Sequence, residues 1–547
     1  MPAAFFRALA IDYDGTLTTR RRPAPEVLSA IAETRDSGIT VLLVTGRILV
    51  ELREDFPEVD AHFDGIIAEN GAVLSFDGED RPLAPALEPA FLEALEARGI
   101  PARAGRVIVA TEADYDRDVM EQIARFGLEH QLVRNRGALM VLPHGVSKGS
   151  GTAIALAELG ISCHNAIGVG DAENDHSLLA ACEIGVAVAN AVQSLRDEAD
   201  LVLDEPAGAG VLELLRRHLP ARLRGVQPRR RRVLLGRTKE GIDVSIPATR
   251  INMAIYGASG QGKSYVAGLV AESLVAAGYV LCVLDLEGDH AGLAELPGVV
   301  VLGGAGPLPT SDELRELLRH GPISVVIDLA QQSLDTKHRY GLAVIEQCQM
   351  MQDVTGLPHW IMVEEAHIPL ASHSAGCGVL AEPRTGLCLV SYHPDQICHH
   401  AAARTDARIV MADDGQAELW NGSAPPVRFT PRQRRVPHAR HTRKYMSGRL
   451  PRERRFYFRT PAGMNDRVAA NLPEFRDEIE RAPPDVLLHH AARGDFSRWL
   501  GDLSYDRVLR EEVRRLERSV GGTPARHTDV AAFREKLAEA IDLRYPE

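Results

Sequence analysis

The sequence predicts an α/β protein with more than one core, and three observations carry that prediction. Short apolar runs end in carboxylates at Ile11-Asp12, Gly170-Asp171, Leu284-Asp285 and Val363-Glu364, as expected of parallel strands buried on both faces whose carboxyl ends open onto a crevice. Segments with helical spacing lie between them, among them Pro25 to Ser37, which Gly38 is placed to end. One further apolar run, Met253 to Tyr256, leads straight into Gly257-Ala258-Ser259-Gly260-Gln261-Gly262-Lys263-Ser264 and an Ala/Leu/Val-rich helix. At 547 residues the chain has room for about three domains.

Composition narrows the function classes. A hydrophobic share of 45% with 25% charged residues is ordinary for a globular protein. The net charge of −13, from 75 acidic against 62 basic residues, argues against the whole molecule being an electrostatic nucleic-acid binder, although local patches escape that average. Seven scattered cysteines without a C-x-x-C pair suggest reduced thiols and no zinc. Arg7, Asp12 and Asp14 interrupt the first apolar run, and no stretch reaches the roughly 20 apolar residues of a spanning helix. A soluble cytoplasmic protein without a membrane partner is expected.

The opening strand ends at Asp12-Tyr13-Asp14-Gly15-Thr16, where two carboxylates at i and i+2 precede a glycine that lets the backbone turn beneath them. Two such acids repel, and one takes up a proton unless a cation joins them. Mg²⁺ suits carboxylate, carbonyl and phosphate oxygens. The chemistry that follows has Asp12 attack phosphorus and Asp14 give a proton to the leaving oxygen, then activate water. A solvated turn after a strand is the bland alternative.

Three more segments bear on that choice. Ile39 to Val44 reads as a second buried strand ending at Thr45-Gly46-Arg47. Thr45 is there either a phosphate-binding hydroxyl or a helix N-cap, Gly46 permits close backbone approach, and Arg47 reaches substrate or braces the loop. Glu69-Asn70-Gly71 reads as turn chemistry. Residues from about 76 to 141 read as a βαββ-like cap, in which Arg134 and Arg136 form either an anion reader or a solvated basic edge. Lys148 then opens an Ala-rich helix, where its ammonium balances carboxylates and phosphate. Ile167 to Gly170 leads into Asp171-Ala172-Glu173-Asn174-Asp175, with Asp171 suited to a metal, Asp175 to a metal or an orienting role, and Asn174 to donation toward phosphate.

D-Y-D-G-T, V-T-G-R, L-P-H-G-V-S-K-G and G-V-G-D-A-E-N-D stand in the order found in the haloacid dehalogenase (HAD) superfamily, and residues 5–215 resemble its Cof-type sugar-phosphatase branch. The resemblance implies a Rossmann-like core with a small α+β cap. It further implies Asp12 as nucleophile, Asp14 as general acid/base and as metal ligand through its carbonyl, Thr45 and Lys148 as phosphate binders, and Asp171 as metal anchor. Sugar phosphates or phosphoglycolate are the substrates it suggests.

A basic linker and hairpin at 221–247 separate that part from a second one at 248–430. There G-x-x-x-x-G-K-S sits between strand and helix, the context its mechanics require. Gly257, Gly260 and Gly262 free backbone N–H groups for phosphates, Lys263 reaches the terminal phosphates, and Ser264 holds Mg²⁺, so ATP is the expected ligand. On the strand His359 to Val363, Glu364 is placed for the metal and Glu365 as the base polarising water, with Asp328 the rival for the metal. Residues 230–425 resemble the HerA/FtsK group of P-loop ATPases. Tyr392 or His393 stands where that group usually carries a polar sensor, and Arg404 and Arg408 are guesses for an arginine finger.

Residues 431–547 read as a mainly helical module that resembles an uncharacterised module attached to carbohydrate-related proteins. That likeness gives no residue a role. The basic stretch 432–455 with Tyr445 is either a nucleic-acid contact or the flank of a short aromatic strand, and His489 and His490 read as structural rather than metal-binding. The expectation is a Mg²⁺-dependent phosphomonoesterase acting on a small phosphorylated metabolite, fused to an ATP-binding domain that governs activity or assembly. The alternative is an oligomeric ATP-driven motor on nucleic acid, with a homo-oligomer left open in either case.

Overall fold

The computed structural model describes residues 5–135, 137–223, 225–258, 260–319, 323–371, 378, 380, 384–422, 424–436, 450, 452, 455–460, 463–503, 507–520 and 527–544. Ser259, Arg136 and Tyr445 lie outside them.

The first sheet begins with β1 (Ala8–Asp12), β2 (Thr40–Val44), β3 (Gly65–Ala68), β4 (Val73–Phe76) and β5 (Glu79–Pro82). The chain then leaves it for a cap sheet of β6 (Arg103–Ala104), β7 (Val109–Glu112), β8 (His130–Asn135) and β9 (Ala138–Pro143), ordered β6-β7-β9-β8. It returns as β10 (Ala166–Gly170), β11 (Ile184–Ala187) and β12 (Leu201–Val202), giving the order β12-β11-β10-β1-β2-β3-β4-β5. All neighbours are parallel as far as β3, and β4 and β5 follow antiparallel at the edge.

Register decides what meets at the carboxyl edge. Asp12 pairs with Val44 and Ile11 with Val169, so Thr45 and Asp171 emerge beside Asp12. The cap begins later than the expected residue 76, because β5 pairs with β4 in the main sheet. The helix Pro89–Glu96 also belongs to the cap, packing Phe91 and Leu95 against Val109 and Val141.

The second sheet has eleven strands: β13 (Arg232–Arg237), β14 (Asp243–Pro247), β15 (Met253–Tyr256), β16 (Leu281–Asp285), β17 (Val299–Gly303), β18 (Ser324–Asp328), β19 (Trp360–Val363), β20 (Leu387–Ser391), β21 (Ala407–Met411), β22 (Ala417–Asn421) and β23 (Val427–Pro431). Its order is β14-β13-β23-β22-β21-β15-β20-β19-β16-β18-β17, parallel from β21 to β17. Near-continuous apolar strands such as Met253–Tyr256 and Trp360–Val363 are fully buried, as a parallel sheet covered on both faces requires. The hairpin β24 (Phe456–Thr460) and β25 (Gly463–Ala469) then joins five helices around Phe458, Phe475 and Phe496.

Buried polar contacts tie the two sheets together. Glu183, with no exposed surface, accepts from Tyr279 Oη at 3.0 Å and from the Thr249 hydroxyl, and lies 2.7 Å from His164 Nδ1. The other nitrogen of His164 faces the Ala277 carbonyl at 3.0 Å, just past the helix Lys263–Ala276. Asn165 donates to the carbonyl of Gly356 at 3.3 Å. His359 packs edge-on against the His164 and Tyr279 rings, and burial drives its imidazole well below its usual pKa. Among the described residues no helix is long and apolar enough to cross a membrane.

Candidate functional sites

The first site gathers residues from both ends of the first sheet's sequence. Lys148 is the first residue of the helix Lys148–Glu158, which Ser147 caps by accepting from Ser150 N at 3.1 Å. The start of that helix rests on the turn at Gly71, whose φ is +97°, where a Cβ would come within 1.9 Å of the Ser147 carbonyl. The packing aims Lys148 Nζ at Asp12 Oδ1 and Asp175 Oδ1, each 2.6 Å away, with all three side chains buried. Asp175 is orienting as well as acidic: its Oδ2 accepts from the backbone N–H groups of Asp171 and Ala172 at 2.9 and 3.0 Å. Thr16 donates to Asp171 Oδ1 at 3.0 Å.

Oxygens of Asp12, Asp171 and Asp175 lie within 4.8 Å of one another. Asp12 Oδ2 is buried and has no hydrogen-bond partner among the described residues. Burial, followed by Asp175 and Asp171, pushes the Asp12 carboxyl well above its usual range against the pull of Lys148. An all-oxygen set with an unanswered oxygen fits a hard divalent cation such as Mg²⁺, whose charge would oppose that upward shift.

Asp14 has a cation of its own. Arg47 grips both its oxygens at 2.6 and 2.8 Å and also holds Asp55 at 2.9 Å, so Arg47 braces the loop. Thr45 caps no helix, since the next one begins at Leu49; its hydroxyl accepts from Arg47 N at 3.1 Å. Gly46 lies against Asn70, to which a Cβ would come within 3.2 Å. Asn174 donates to Asn70 Oδ1 at 3.0 Å, which places both amides beside the cluster. A cleft of about 250 Å³ between core and cap is lined by Asp14, Gly46, Arg47, Arg103 and Met140. Arg134 pairs with Asp116 and is largely exposed, which matches a solvated edge.

Sequence reasoning left Glu69 and Asn70 as turn residues only. Glu69 is fully buried and accepts from the cap's backbone N–H groups at Arg106, Val107 and Ile108, at 2.9, 2.9 and 3.2 Å. It anchors the cap to the core. The one signal was an acid placed immediately before Asn-Gly at a strand end.

The second site lies on β15, β19, β20 and the helix Lys263–Ala276. Gly257, Gly260 and Gly262 have φ of +155°, +83° and +98°, which favour glycine and curl the loop. Lys263 donates to the Ala258 carbonyl at 3.1 Å, and its ammonium stands 4.4 Å from the centre of the Tyr392 ring. Ser264 Oγ is 3.5 Å from Glu364 Oε2, so β19 rather than β18 brings an acid to the loop. Asp328 accepts from Ala330 N at 2.9 Å on a strand two places away from β19.

His290 Nε2 lies 2.6 Å from Glu364 Oε1. Burial disfavours the charged ring, but Glu364 and Asp285 outweigh it and hold His290 above its usual pKa. Glu365 adopts φ of +44°, a strained conformation for a residue with a side chain, and lies 3.4 Å from His367 Nδ1. Of the two residues at the sensor position, Tyr392 faces Lys263 while the His393 side chain is 64% exposed. Arg404 donates to the Leu380 carbonyl at 2.6 Å, and Arg408 is exposed on β21. His490 accepts from Arg459 N and faces Asp495, both at 2.8 Å, as a structural histidine does.

Comparison with known proteins follows the same division. Residues 9–96 and 104–215 match the family described as haloacid dehalogenase-like hydrolase. Residues 233–344 match the family described as helicase HerA, central domain. A phosphoglycolate phosphatase of Methanothermobacter thermautotrophicus is 33% identical over 220 residues, which are 39% of this chain and 99% of that protein. Proteins of the same name from Archaeoglobus fulgidus and Halorubrum lacusprofundi are 32% and 35% identical over 38% of this chain, and 95% and 96% of their own lengths are covered.

Proposed function

We propose that this chain, which belongs to the haloacid dehalogenase-like hydrolases and carries a HerA central domain behind the hydrolase, is a Mg²⁺-dependent phosphomonoesterase governed by ATP. The single observation behind the phosphatase reading is the buried cluster of Asp12, Asp171, Asp175 and Lys148. Asp12, Asp171 and Asp175, with the carbonyl of Asp14, would hold the cation, which supplies charge neutralisation at the phosphate when bound. A carboxylate oxygen of Asp12 attacks phosphorus, the bond to the leaving oxygen breaks, and an aspartyl-phosphate forms. Lys148, Thr45 and the amides of Asn174 and Asn70 receive the phosphoryl oxygens. Asp14, released from Arg47 in its protonated form, gives that proton to the leaving oxygen as its bond to phosphorus breaks; as a carboxylate it then takes a proton from the water that attacks the aspartyl-phosphate, which releases phosphate and restores Asp12. The relatives' name makes phosphoglycolate, or a small phosphorylated metabolite like it, the substrate class.

In the second domain Gly257, Gly260, Gly262 and Lys263 hold the phosphates of ATP. Ser264 and Glu364 stand for its metal and Glu365 for the base. The route between the sites runs through the interface: β10 links Asn165 to Asp171, and the carbonyl that His164 contacts lies just past the end of the P-loop helix. The test is phosphate release from phosphoglycolate, with Mg²⁺ or chelator and with or without a non-hydrolysable ATP analogue. Metal-dependent turnover that shifts with the analogue supports the reading, and turnover indifferent to Mg²⁺ contradicts it. The HerA match favours a second reading, an oligomeric motor on nucleic acid with an accessory phosphatase. DNA-stimulated ATP hydrolysis by a ring would select it, and a monomer indifferent to DNA would remove it.

A further inference from the structure

The C-terminal unit contains a cleft of about 390 Å³, within the size range of small-ligand sites. Its lining is dominated by Arg493, Arg498, Arg510, Arg514 and Arg518, with Glu517 among them. Three of the arginines stand at i, i+4 and i+8 on the helix Arg507–Val520 and so form one row along a single face. Like charges at that spacing weaken a helix unless something anionic answers them. Asp495 answers Arg493 and Arg498 at 3.4 and 3.2 Å, and Glu511 answers Arg514 at 3.1 Å. Arg510 and Arg518 form no ion pair among the described residues, and Arg510 Nε is buried without a hydrogen-bond partner.

Glu517 lines the same cleft. It is only 3% exposed, and its Oε1 accepts from the backbone N–H groups of Phe496 and Ser497 at 2.9 and 3.1 Å. Its Oε2 is buried and has no partner among the described residues. A bare anion offers that oxygen no hydrogen bond, whereas a ligand carrying both an anion and a hydroxyl satisfies both sides of the cleft.

We propose that this cleft binds a small hydroxylated organic phosphate, its phosphate on the row Arg510, Arg514 and Arg518 and a hydroxyl donated to Glu517 Oε2. The site is separate from both phosphate sites above and does not depend on their assignment. Guanidinium forks recognise phosphate in bidentate fashion, which three arginines in a row allow for more than one oxygen pair.

The test is calorimetric titration of the full chain in chelator with glucose 6-phosphate, AMP and inorganic phosphate, repeated on Arg514→Gln/Arg518→Gln. Both arginines are solvent-accessible, so that variant retains its fold, which a thermal melt checks. At least a tenfold weaker affinity for glucose 6-phosphate or AMP in the variant, with phosphatase turnover unchanged, supports the site, and the better of the two probes identifies the ligand class. Glu517→Gln should weaken the organic phosphate and spare inorganic phosphate. Superimposable isotherms for wild type and double variant overturn the proposal. So does a loss confined to a DNA oligonucleotide, which would make the row a nucleic-acid surface instead.

Discussion

The two candidate phosphate sites are built by opposite means. Around Asp12 the charges belong to side chains from segments far apart in sequence, and a fully buried lysine is clamped between two carboxylates at 2.6 Å. Around Gly262 a loop curled by glycines of positive φ leads straight into the helix, and Lys263 rests on a carbonyl and an aromatic face. The first arrangement holds its charges in place in advance, each answered by another side chain of the cluster.

That contrast can be tested in order of expected effect. Asp12→Asn should lower phosphatase turnover by at least ~10³-fold while the ATP-induced thermal shift persists, and steady-state kinetics with a melting curve reads both. Lys148→Met should leave Asp12 and Asp175 as uncompensated buried carboxylates and cost about 3–5 kcal/mol, seen in urea unfolding. Lys263→Ala leaves no pair of buried carboxylates facing one another and should cost less stability, yet abolish the ATP-induced shift. Equal losses of stability from the two lysines would erase the distinction drawn here.

Smaller effects fall on the parts that hold the sites in place. Glu69→Ala should release three cap N–H groups, costing about 1–3 kcal/mol and raising KM more than it lowers kcat. At the interface, burial holds the pKa of His359 below the ordinary imidazole value of 6.5, so the folded form prefers the neutral ring. Its contribution is fully present above that value and is lost as pH falls toward the lowered one. Stability measured against pH should therefore decline on the acid side of neutrality, with a shallower slope in His359→Gln.

How much of this is legible in the sequence depends on how local each cause is. Strands that end in acids, and a glycine-rich loop between strand and helix, announce themselves because the chemistry lies within a few residues of the element that positions it. The pairing of Asp14 with Arg47 was less visible, since it depends on where β2 lies beside β1. Glu69 was hidden because its partners are backbone groups nearly forty residues away in a cap whose packing no periodicity reveals. His290 beside Glu364 and Tyr392 under Lys263 were hidden for the same reason, as strand order brings them together. The cap's late start follows from an edge hairpin, β4 with β5, whose exposed charged strand Glu79–Pro82 carries no apolar signal of its place in the sheet.

The most direct measurement is rapid-mixing kinetics with 4-nitrophenyl phosphate, whose leaving group needs no acid. With Mg²⁺, Asp14→Asn should release a burst of one nitrophenolate per chain and then turn over slowly, with the phosphoryl group trapped on the peptide that contains Asp12. Asp12→Asn should show neither burst nor turnover. A burst or unimpaired turnover in Asp12→Asn would contradict the assignment of Asp12 as the residue that accepts the phosphoryl group.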